Sequence, residues 1–121
     1  MKVILVHPLI PQNAGSIGRL CAGMVVEMVF VEPLGFKIED RYLKRAGLDY
    51  WPWIKYHVAP SWEEAFSDVE RPWFFTVHTQ RSYTEATFQE GDALVFGSEN
   101  TGLPMELLER YSDDRRVCIP M

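Results

Sequence analysis

The sequence predicts an α/β fold with a mainly parallel sheet and helices on both faces, and three observations lead to that class. Short, nearly continuous apolar runs recur along the 121 residues, as in strands buried on both faces of a parallel sheet. Amphipathic stretches of about ten residues separate these runs, which is the pattern of βαβ units. Polar loops containing glycine follow two of the runs, at the position where open α/β sheets bind ligands.

The apolar runs are the predicted strands. Most are bounded by glycine, proline or small polar residues, which end extended segments. In chain order they are Lys2–His7, Val25–Glu32, Ile54–Val58, Trp73–Thr79, Ala93–Gly97 and Arg116–Ile119. The length of the chain, without an obvious linker or internal repeat, predicts one domain over residues 1–121.

The predicted helices lie between these strands. After Asn13, a favourable N-cap, apolar residues recur at helical spacing over residues 17–24. Asp40–Ala46 is predicted to be a short basic helix. A helix over Ser61–Val69 opens with the S-x-x-E form of a capping box. A further helix, Met105–Tyr111, follows the second glycine-containing loop.

The net charge of −5 is unevenly distributed along the chain. Basic residues outnumber acidic ones before residue 59, and acidic residues dominate after it. The overall acidity argues against a general nucleic-acid binder but allows a local basic patch in the first half. Arg41, Lys44 and Arg45 are the candidates for phosphate contacts there, and a solvated helix face is an equally good interpretation.

The cysteines and histidines indicate neither a disulfide framework nor a metal site. Cys21 and Cys118 are far apart and belong to no CxxC pattern, and the histidines at positions 7, 57 and 78 lack metal-ligand spacing. Reduced thiols in a cytoplasmic protein are the expectation, and a disulfide is the less favoured alternative. No apolar run reaches the ~18 residues of a membrane span, so no membrane association is predicted.

The first candidate ligand loop is Leu94–Pro104, in which an apolar strand ends abruptly in Gly97. A short polar stretch with Glu99 follows, then Gly102 and a proline that opens the next helix. Glycines in such a loop let a ligand approach the backbone closely. Glu99 could accept hydrogen bonds from a ligand hydroxyl or amine, or it could be a solvated loop acid.

The second candidate loop is the strand–helix junction His7–Arg19. It matches neither the dinucleotide-binding G-x-G-x-x-G pattern nor the P-loop pattern. A helix N-terminus attracts anions, and Arg19 could hold a phosphate with two hydrogen bonds. A well-capped helix with a surface arginine explains the same residues.

Both loops resemble motifs of one enzyme family. Asn13–Arg19, read N-A-G-S-I-G-R, resembles the N-x-G-x-I-x-R motif of SPOUT-class RNA 2′-O-ribose methyltransferases, and Phe96–Pro104 resembles their second motif. Glu32–Phe36 and Arg45–Trp51 look like the small, single-domain TrmL-type branch, which methylates the wobble nucleotide of tRNA. The resemblance covers essentially the whole chain, with the motifs in the expected order and spacing.

The resemblance implies a SPOUT-type α/β fold with a deep trefoil knot near the C-terminal end. It implies S-adenosylmethionine as methyl donor and a homodimer with the active site at the subunit interface, and no metal is expected because the sequence contains no metal-binding motif. The substrate would be the ribose of a wobble cytidine or uridine in a tRNA anticodon loop. Two alternatives stay open: a 2′-O-methyltransferase acting on another RNA, and a non-catalytic RNA-binding or dimerisation module.

By the same resemblance, the cofactor contacts come from three parts of the chain. Arg19 matches the family's catalytic arginine, credited with activating the ribose 2′-hydroxyl, and Asn13 would help to place it. An ordinary guanidinium is a poor base, so we interpret Arg19 as a stabiliser of the developing alkoxide or a ligand of the adjacent phosphate. The implied cofactor-binding residues are Val77, His78, Thr79, Gly97, Glu99, Gly102, Ile119 and Met121.

The chain departs from the family pattern in one respect. After the strand that ends in I-P-M, the family continues with a loop and a helix that carry a third motif rich in Ser and Asn. The sequence ends at Met121 without that motif, so the expectation is a domain that is short at its C-terminus. In the family that segment closes the knot and completes the cofactor pocket.

Overall fold

The computed structural model describes residues 1–9, 26–35, 55–98 and 101–119. Within these ranges the chain forms a six-stranded sheet in which every pairing is parallel. The strands are β1 (Lys2–Val6), β2 (Glu27–Val31), β3 (Tyr56–Ala59), β4 (Pro72–Phe75), β5 (Ala93–Phe96) and β6 (Arg116–Val117). Their order across the sheet is β3-β2-β1-β5-β4-β6. The predicted parallel α/β sheet is therefore confirmed.

The predicted strands are all present, and several are shorter than predicted. The largest difference is in β4, which was predicted to extend to Thr79 and ends at Phe75. The Thr76 amide still donates to the Val117 carbonyl, but the His78 amide then donates to the Thr76 hydroxyl. That local hydrogen bond turns the chain away from the sheet, which an apolar pattern does not predict.

The central strands β1 and β2 are buried from their second residue onward, as expected for a parallel sheet covered on both faces. They pair in register from Lys2 with Glu27 to Val6 with Val31. On the other side of β1, Leu5 pairs with Phe96 of β5. This order brings β1 and β5, the strands that precede the two candidate loops, next to each other.

Two short α-helices, α1 (Trp62–Ala65) and α2 (Met105–Leu108), pack on one face of the sheet. Both are shorter than predicted. The Ser61 hydroxyl accepts from the Glu64 amide at 3.4 Å, so the predicted cap is present at α1. The shared core buries small and aliphatic side chains of the helices against the strands, among them Ala65, Leu107, Leu108, Val29 and Val95. The helices predicted after Asn13 and over Asp40–Ala46 lie outside the described residues.

A complete capping box is present at a position that sequence analysis treated as loop. The Ser82 hydroxyl accepts from the Thr84 amide, and the Glu85 carboxylate accepts from the Ser82 amide at 2.9 Å. This capping box marks the start of a 3₁₀ turn over Tyr83–Glu85. The S-x-x-E spacing was visible in the sequence, but no apolar run follows it to mark a helix.

A buried carboxylate ties the start of β5 to its neighbours at the amino end of the sheet. Asp92 is fully buried, and it accepts hydrogen bonds from Arg71 Nε, Trp73 Nε1 and the Gln89 amide, each at 2.8 Å. Burial would raise the pKa of Asp92, but the hydrogen bonds from Trp73, Gln89 and Arg71 and the Arg71 charge hold it below its ordinary value. The charged carboxylate therefore stabilises the fold.

We expect Asp92→Asn to lower the free energy of unfolding at neutral pH by about 2 kcal/mol, because the amide leaves a buried donor without an acceptor. The lowered pKa means that the carboxylate's contribution is complete above about pH 4 and is lost as the pH falls through the folded-state value. Urea denaturation across that range measures both effects. As the pH falls, the free energy of unfolding should decrease less in Asp92→Asn than in the wild type. The exposed-site control Glu90→Gln should show the same pH dependence as the wild type. Equal stability of Asp92→Asn and the wild type at neutral pH would contradict this role.

Candidate functional site

A cavity of about 470 Å³ opens at the carboxyl ends of β4, β5 and β6. Parallel strands all end at the same edge of a sheet, and ligands of open α/β sheets bind there. The volume lies within the range typical of small-molecule sites. Three segments line the cavity, namely Phe75–His78 after β4, Phe96–Ser98 with Thr101–Leu103 after β5, and Cys118–Ile119 after β6.

The loop after β5 folds back on itself to form one side of the cavity. Ser98 and Gly102 pair in an antiparallel bridge, with the Gly102 amide donating to the Ser98 carbonyl at 2.9 Å. A Cβ on Gly97 would lie 2.2 Å from the Gly102 carbonyl carbon, so the closed loop requires glycine at position 97. Gly102 has a φ of +70°, and the space beside it is open. Leu103 then enters the core and Pro104 leads into α2.

The segment after β4 is hydrogen-bonded to Cys118, which follows β6 and lines the third side of the cavity. The Cys118 amide donates to the Arg81 carbonyl, and the Tyr83 amide donates to the Cys118 carbonyl, both at 2.9 Å. The Arg81 guanidinium also donates to the Asp113 carbonyl. These bonds connect the chain around Arg81 to β6, so the cavity has sides from three separate parts of the sequence.

Aromatic rings form the wall nearest the sheet. Phe75 and Phe96 are partners in the β4–β5 register, and their rings stack with centroids 4.6 Å apart and planes 15° from parallel. At the rim of the cavity, by contrast, the apolar side chains are exposed to solvent: Val77 is 89% exposed and Ile119 is 57% exposed. Apolar side chains held in water at a cavity mouth are positioned to contact a ligand or another surface.

The cavity suits a part of a ligand that is largely uncharged and contains a flat ring. The described lining residues include one imidazole, that of His78, and no Lys, Arg, Asp or Glu. Polar contacts would come from hydroxyl groups such as those of Thr76 and Thr101 and from the backbone at Gly97 and Gly102. A nucleoside fits this combination of apolar wall, hydroxyls and exposed backbone.

The structure brings together five of the residues that the resemblance implied for the cofactor: Val77, His78, Gly97, Gly102 and Ile119 all line the cavity. Thr79 is not among the lining residues, and its hydroxyl accepts from the Arg81 amide at 3.3 Å. The other predicted site residues, Glu99, Met121, Asn13, Arg19, Arg41, Lys44 and Arg45, lie outside the described residues.

Several lining residues were not named as site residues from the sequence, among them Phe75, Phe96, Thr76 and Cys118, although Phe96 lies within the predicted ligand loop Leu94–Pro104. Phe75 and Phe96 are the last residues of their strands, and Cys118 follows the last residue of β6 directly. The adjacency of β4, β5 and β6 would have identified them, because the ends of neighbouring parallel strands share one edge. That adjacency was not part of the prediction.

The end of β1 leads into the Asn13–Arg19 motif from the same edge of the sheet. His7 follows β1 with a φ of +55°, and its amide donates to the Val31 carbonyl at 3.1 Å. A positive φ is uncommon for a residue other than glycine and marks an abrupt change of direction. Gly35 lies close by, because a Cβ there would be 2.7 Å from the Leu9 backbone.

The described residues contain neither a metal-binding cluster nor a membrane-spanning helix. No group of His, Cys, Asp and Glu side chains in the described ranges is arranged to hold a metal ion. Cys118 is a free, partly buried cysteine, and Cys21 lies outside those ranges. In the same part of the chain, no helix has the length and apolar character needed to cross a membrane.

Comparison with known proteins connects this geometry to one family. The sequence model of the SpoU rRNA Methylase family matches residues 1–121. A tRNA (cytidine(34)-2′-O)-methyltransferase from Methylovorus glucosotrophus is 41% identical over 98% of this chain and 79% of its own length. A solved structure that concerns 2-OH methylation of C/U34 on tRNA is 38% identical, with a TM-score of 0.87 over 99% of this chain and 79% of that one. The AdoMet-bound rRNA methyltransferase of Sinorhizobium meliloti, 20% identical with a TM-score of 0.81 over 99% of this chain and 47% of that one, shares the fold.

Proposed function

The chain belongs to the SpoU rRNA methylase family, and from that membership we propose that it is an S-adenosylmethionine-dependent tRNA 2′-O-methyltransferase. The proposed substrate is the ribose of cytidine or uridine 34, the wobble nucleotide of the anticodon loop. The observation that carries the proposal is the 41% identity to an enzyme named for cytidine 34, which extends over nearly the whole chain. The cavity at the ends of β4, β5 and β6 supports it, because its lining suits an adenosyl group.

The proposed reaction moves one methyl group. S-adenosylmethionine supplies a methyl on a positively charged sulfur, which makes the methyl carbon open to attack by an oxygen. The ribose O2′ forms the new bond to carbon, the sulfur keeps the electron pair of the bond that breaks, and the hydroxyl proton leaves to water. The products are the 2′-O-methyl nucleotide and S-adenosylhomocysteine. Holding the two reactants in line would account for much of the acceleration.

The described residues would contribute by binding and orientation. The loop after β5 presents the backbone at Gly97 and Gly102 to the cavity, and the segment after β4 presents Thr76 and His78. Arg19, with Asn13 beside it in the motif, is proposed to stabilise the negative charge that develops on O2′. Binding of the adjacent phosphate by the same guanidinium is the alternative role for Arg19.

We also propose that the enzyme acts as a cytoplasmic homodimer without a metal, with Arg41, Lys44 and Arg45 contacting the tRNA phosphates. The exposed rim residues Val77 and Ile119 are compatible with a second surface lying over the cavity mouth. The basic residues precede the acidic second half of the chain, which would repel phosphates. Analytical ultracentrifugation with and without tRNA tests the assembly.

The test of the function is transfer of a labelled methyl group from S-adenosylmethionine into an anticodon stem-loop RNA. We expect label in an RNA with a ribose at position 34 and none in a matched RNA that carries 2′-deoxyribose there, because the accepting oxygen is then absent. Transfer to both RNAs would show that another position is methylated and would overturn the proposed site.

Binding of S-adenosylhomocysteine, measured by calorimetry, separates the enzyme from a non-catalytic module. The enzyme is expected to bind this product because the described lining of the cavity suits an adenosyl group. Binding without transfer to any anticodon stem-loop would favour a methyltransferase for another RNA. Absence of binding would favour an RNA-binding or dimerisation module.

A further inference from the structure

The pairing between β4 and β6 is interrupted by an inserted loop, residues 76–81. Phe75 pairs with Val117, so a regular parallel ladder would next pair Cys118 with the residue that follows Phe75. Instead Cys118 forms its bridge with Ser82, in the same parallel direction. The chain therefore leaves the sheet after β4 and returns to the same neighbouring segment at the next position along it.

The middle of the inserted loop contributes Val77 and His78 to the cavity. Val77 is 89% exposed, so packing against the sheet does not hold its side chain. The hydrogen bonds inside the loop join close neighbours in sequence. The His78 amide donates to the Thr76 hydroxyl at 3.1 Å, and the Arg81 amide donates to the Thr79 hydroxyl at 3.3 Å. The position of these cavity residues relative to β6 therefore depends on the two ends of the loop.

Arg81, at the end of the inserted loop, is hydrogen-bonded to the chain on either side of β6. After β6, the Cys118 amide donates to the Arg81 carbonyl at 2.9 Å. Before β6, Nη1 of the Arg81 guanidinium donates to the carbonyl of Asp113, which begins the 3₁₀ turn that leads into the strand. Because β6 has only two residues, its ladder with β4 contributes few bonds of its own. A charged donor forms one of the stronger kinds of hydrogen bond, so Arg81 is the main anchor of this end of the loop.

We propose that Arg81 is a positioning residue for cofactor binding, which fixes the inserted loop against β6 and so keeps the mouth of the cavity in its binding conformation. This inference rests on the proposed function. Arg81 is not among the described residues that line the cavity, so it acts through Val77 and His78. A site that is ordered before the ligand arrives binds more tightly, because binding does not have to order it. Removal of the anchor should weaken cofactor binding although no lining residue is changed.

The first measurement is calorimetry with S-adenosylhomocysteine, at a temperature below the unfolding transition of each protein. In Arg81→Met the side chain cannot donate a hydrogen bond, and the affinity should fall by about tenfold or more. In Arg81→Lys the ammonium can still donate to the single carbonyl of Asp113, so most of the affinity should return. Binding by Arg81→Lys as weak as that of Arg81→Met would overturn the role of this hydrogen bond.

Steady-state methyl transfer separates positioning from two simpler roles of Arg81. A smaller fraction of folded enzyme would lower kcat and leave both KM values unchanged. A direct contact with RNA would raise the KM for the anticodon stem-loop. Positioning should instead raise the KM for S-adenosylmethionine in Arg81→Met by about tenfold, with kcat and the KM for RNA near their wild-type values, because saturating cofactor holds the loop in place.

Arg110→Met is the matched control, because it makes the same change at an exposed arginine outside the cavity lining. The Arg110 guanidinium lies 4.8 Å from the centroid of the Trp62 ring, and its loss should leave the affinity for S-adenosylhomocysteine at the wild-type value. Arg81→Gln, with a shorter side chain, takes the place of Arg81→Met if that variant does not fold.

Two results would overturn the positioning role of Arg81 and leave the proposed function intact. One is wild-type affinity for S-adenosylhomocysteine in folded Arg81→Met or Arg81→Gln. The other is a change confined to kcat or to the KM for RNA. Failure of the wild type to bind S-adenosylhomocysteine would overturn the proposed function itself.

Discussion

Gly97→Ala is expected to abolish binding of S-adenosylhomocysteine and to destabilise the protein by about 3 kcal/mol or more. The added methyl would lie 2.2 Å from the Gly102 carbonyl carbon and 2.3 Å from the Leu103 nitrogen. Both are backbone atoms of a loop closed by the Ser98–Gly102 bridge, so no side-chain rotation relieves the overlap. The loop must open, and it forms one side of the cavity.

Calorimetric titration with S-adenosylhomocysteine and thermal unfolding measure the two effects of Gly97→Ala. Gly91→Ala is the matched control, because Gly91 has a φ of +92° with open space around its Cβ position and does not line the cavity. It should cost about 1–2 kcal/mol from backbone strain alone and retain binding. Wild-type affinity in Gly97→Ala would show that the closed loop is not needed for the site.

Arg19→Ala is expected to reduce the rate of methyl transfer by about 10²–10³-fold, the usual effect of removing one group that stabilises a developing oxyanion. The family motif Asn13–Arg19 motivates the prediction. Because the proposed role concerns charge that develops during the reaction, the affinity for S-adenosylhomocysteine should stay near the wild-type value. Single-turnover transfer of labelled methyl into the anticodon stem-loop measures the rate.

Arg19→Lys distinguishes the two proposed roles of this side chain. A lysine keeps the positive charge but cannot form two parallel hydrogen bonds to a phosphate. Substantial recovery of the rate in Arg19→Lys would favour stabilisation of the oxyanion, whereas recovery of neither rate nor RNA affinity would favour bidentate phosphate binding. Rapid transfer by Arg19→Ala, equal to that of the wild type, would remove Arg19 from the reaction.

Much of the fold could be predicted from local patterns. The apolar runs predicted every strand of the described sheet, and their alternation with helical segments predicted its parallel direction. Element ends were less accurate: the strand predicted to Thr79 ends at Phe75, because the Thr76 hydroxyl competes for the backbone. The family assignment rested on the motifs Asn13–Arg19 and Phe96–Pro104, and the match over residues 1–121 confirms it. The trefoil knot stays a prediction.

The composition of the cavity could not be predicted in the same way. Gly97 and Gly102 were identified because glycine is diagnostic in a loop after a strand, and His78 and Ile119 came from the family resemblance. Phe75 and Cys118 were not predicted as cavity residues. No local sequence feature shows whether an apolar residue at the end of a strand lines a cavity or is buried in the core. Their role depends on which strands are neighbours.

The order of residues determined the elements of this protein, namely its strands, the Ser61 cap of α1 and a loop that tolerates only glycine at position 97. Those features depend on neighbours within a few positions, where backbone sterics and hydrogen bonds act directly. The strand order β3-β2-β1-β5-β4-β6 depends instead on pairing between distant segments. That order placed Phe75 beside Phe96, surrounded Asp92 with three donors and joined three strand ends around one cavity. Such contacts form because burying apolar surface selects the arrangement of the whole chain, which no single segment encodes.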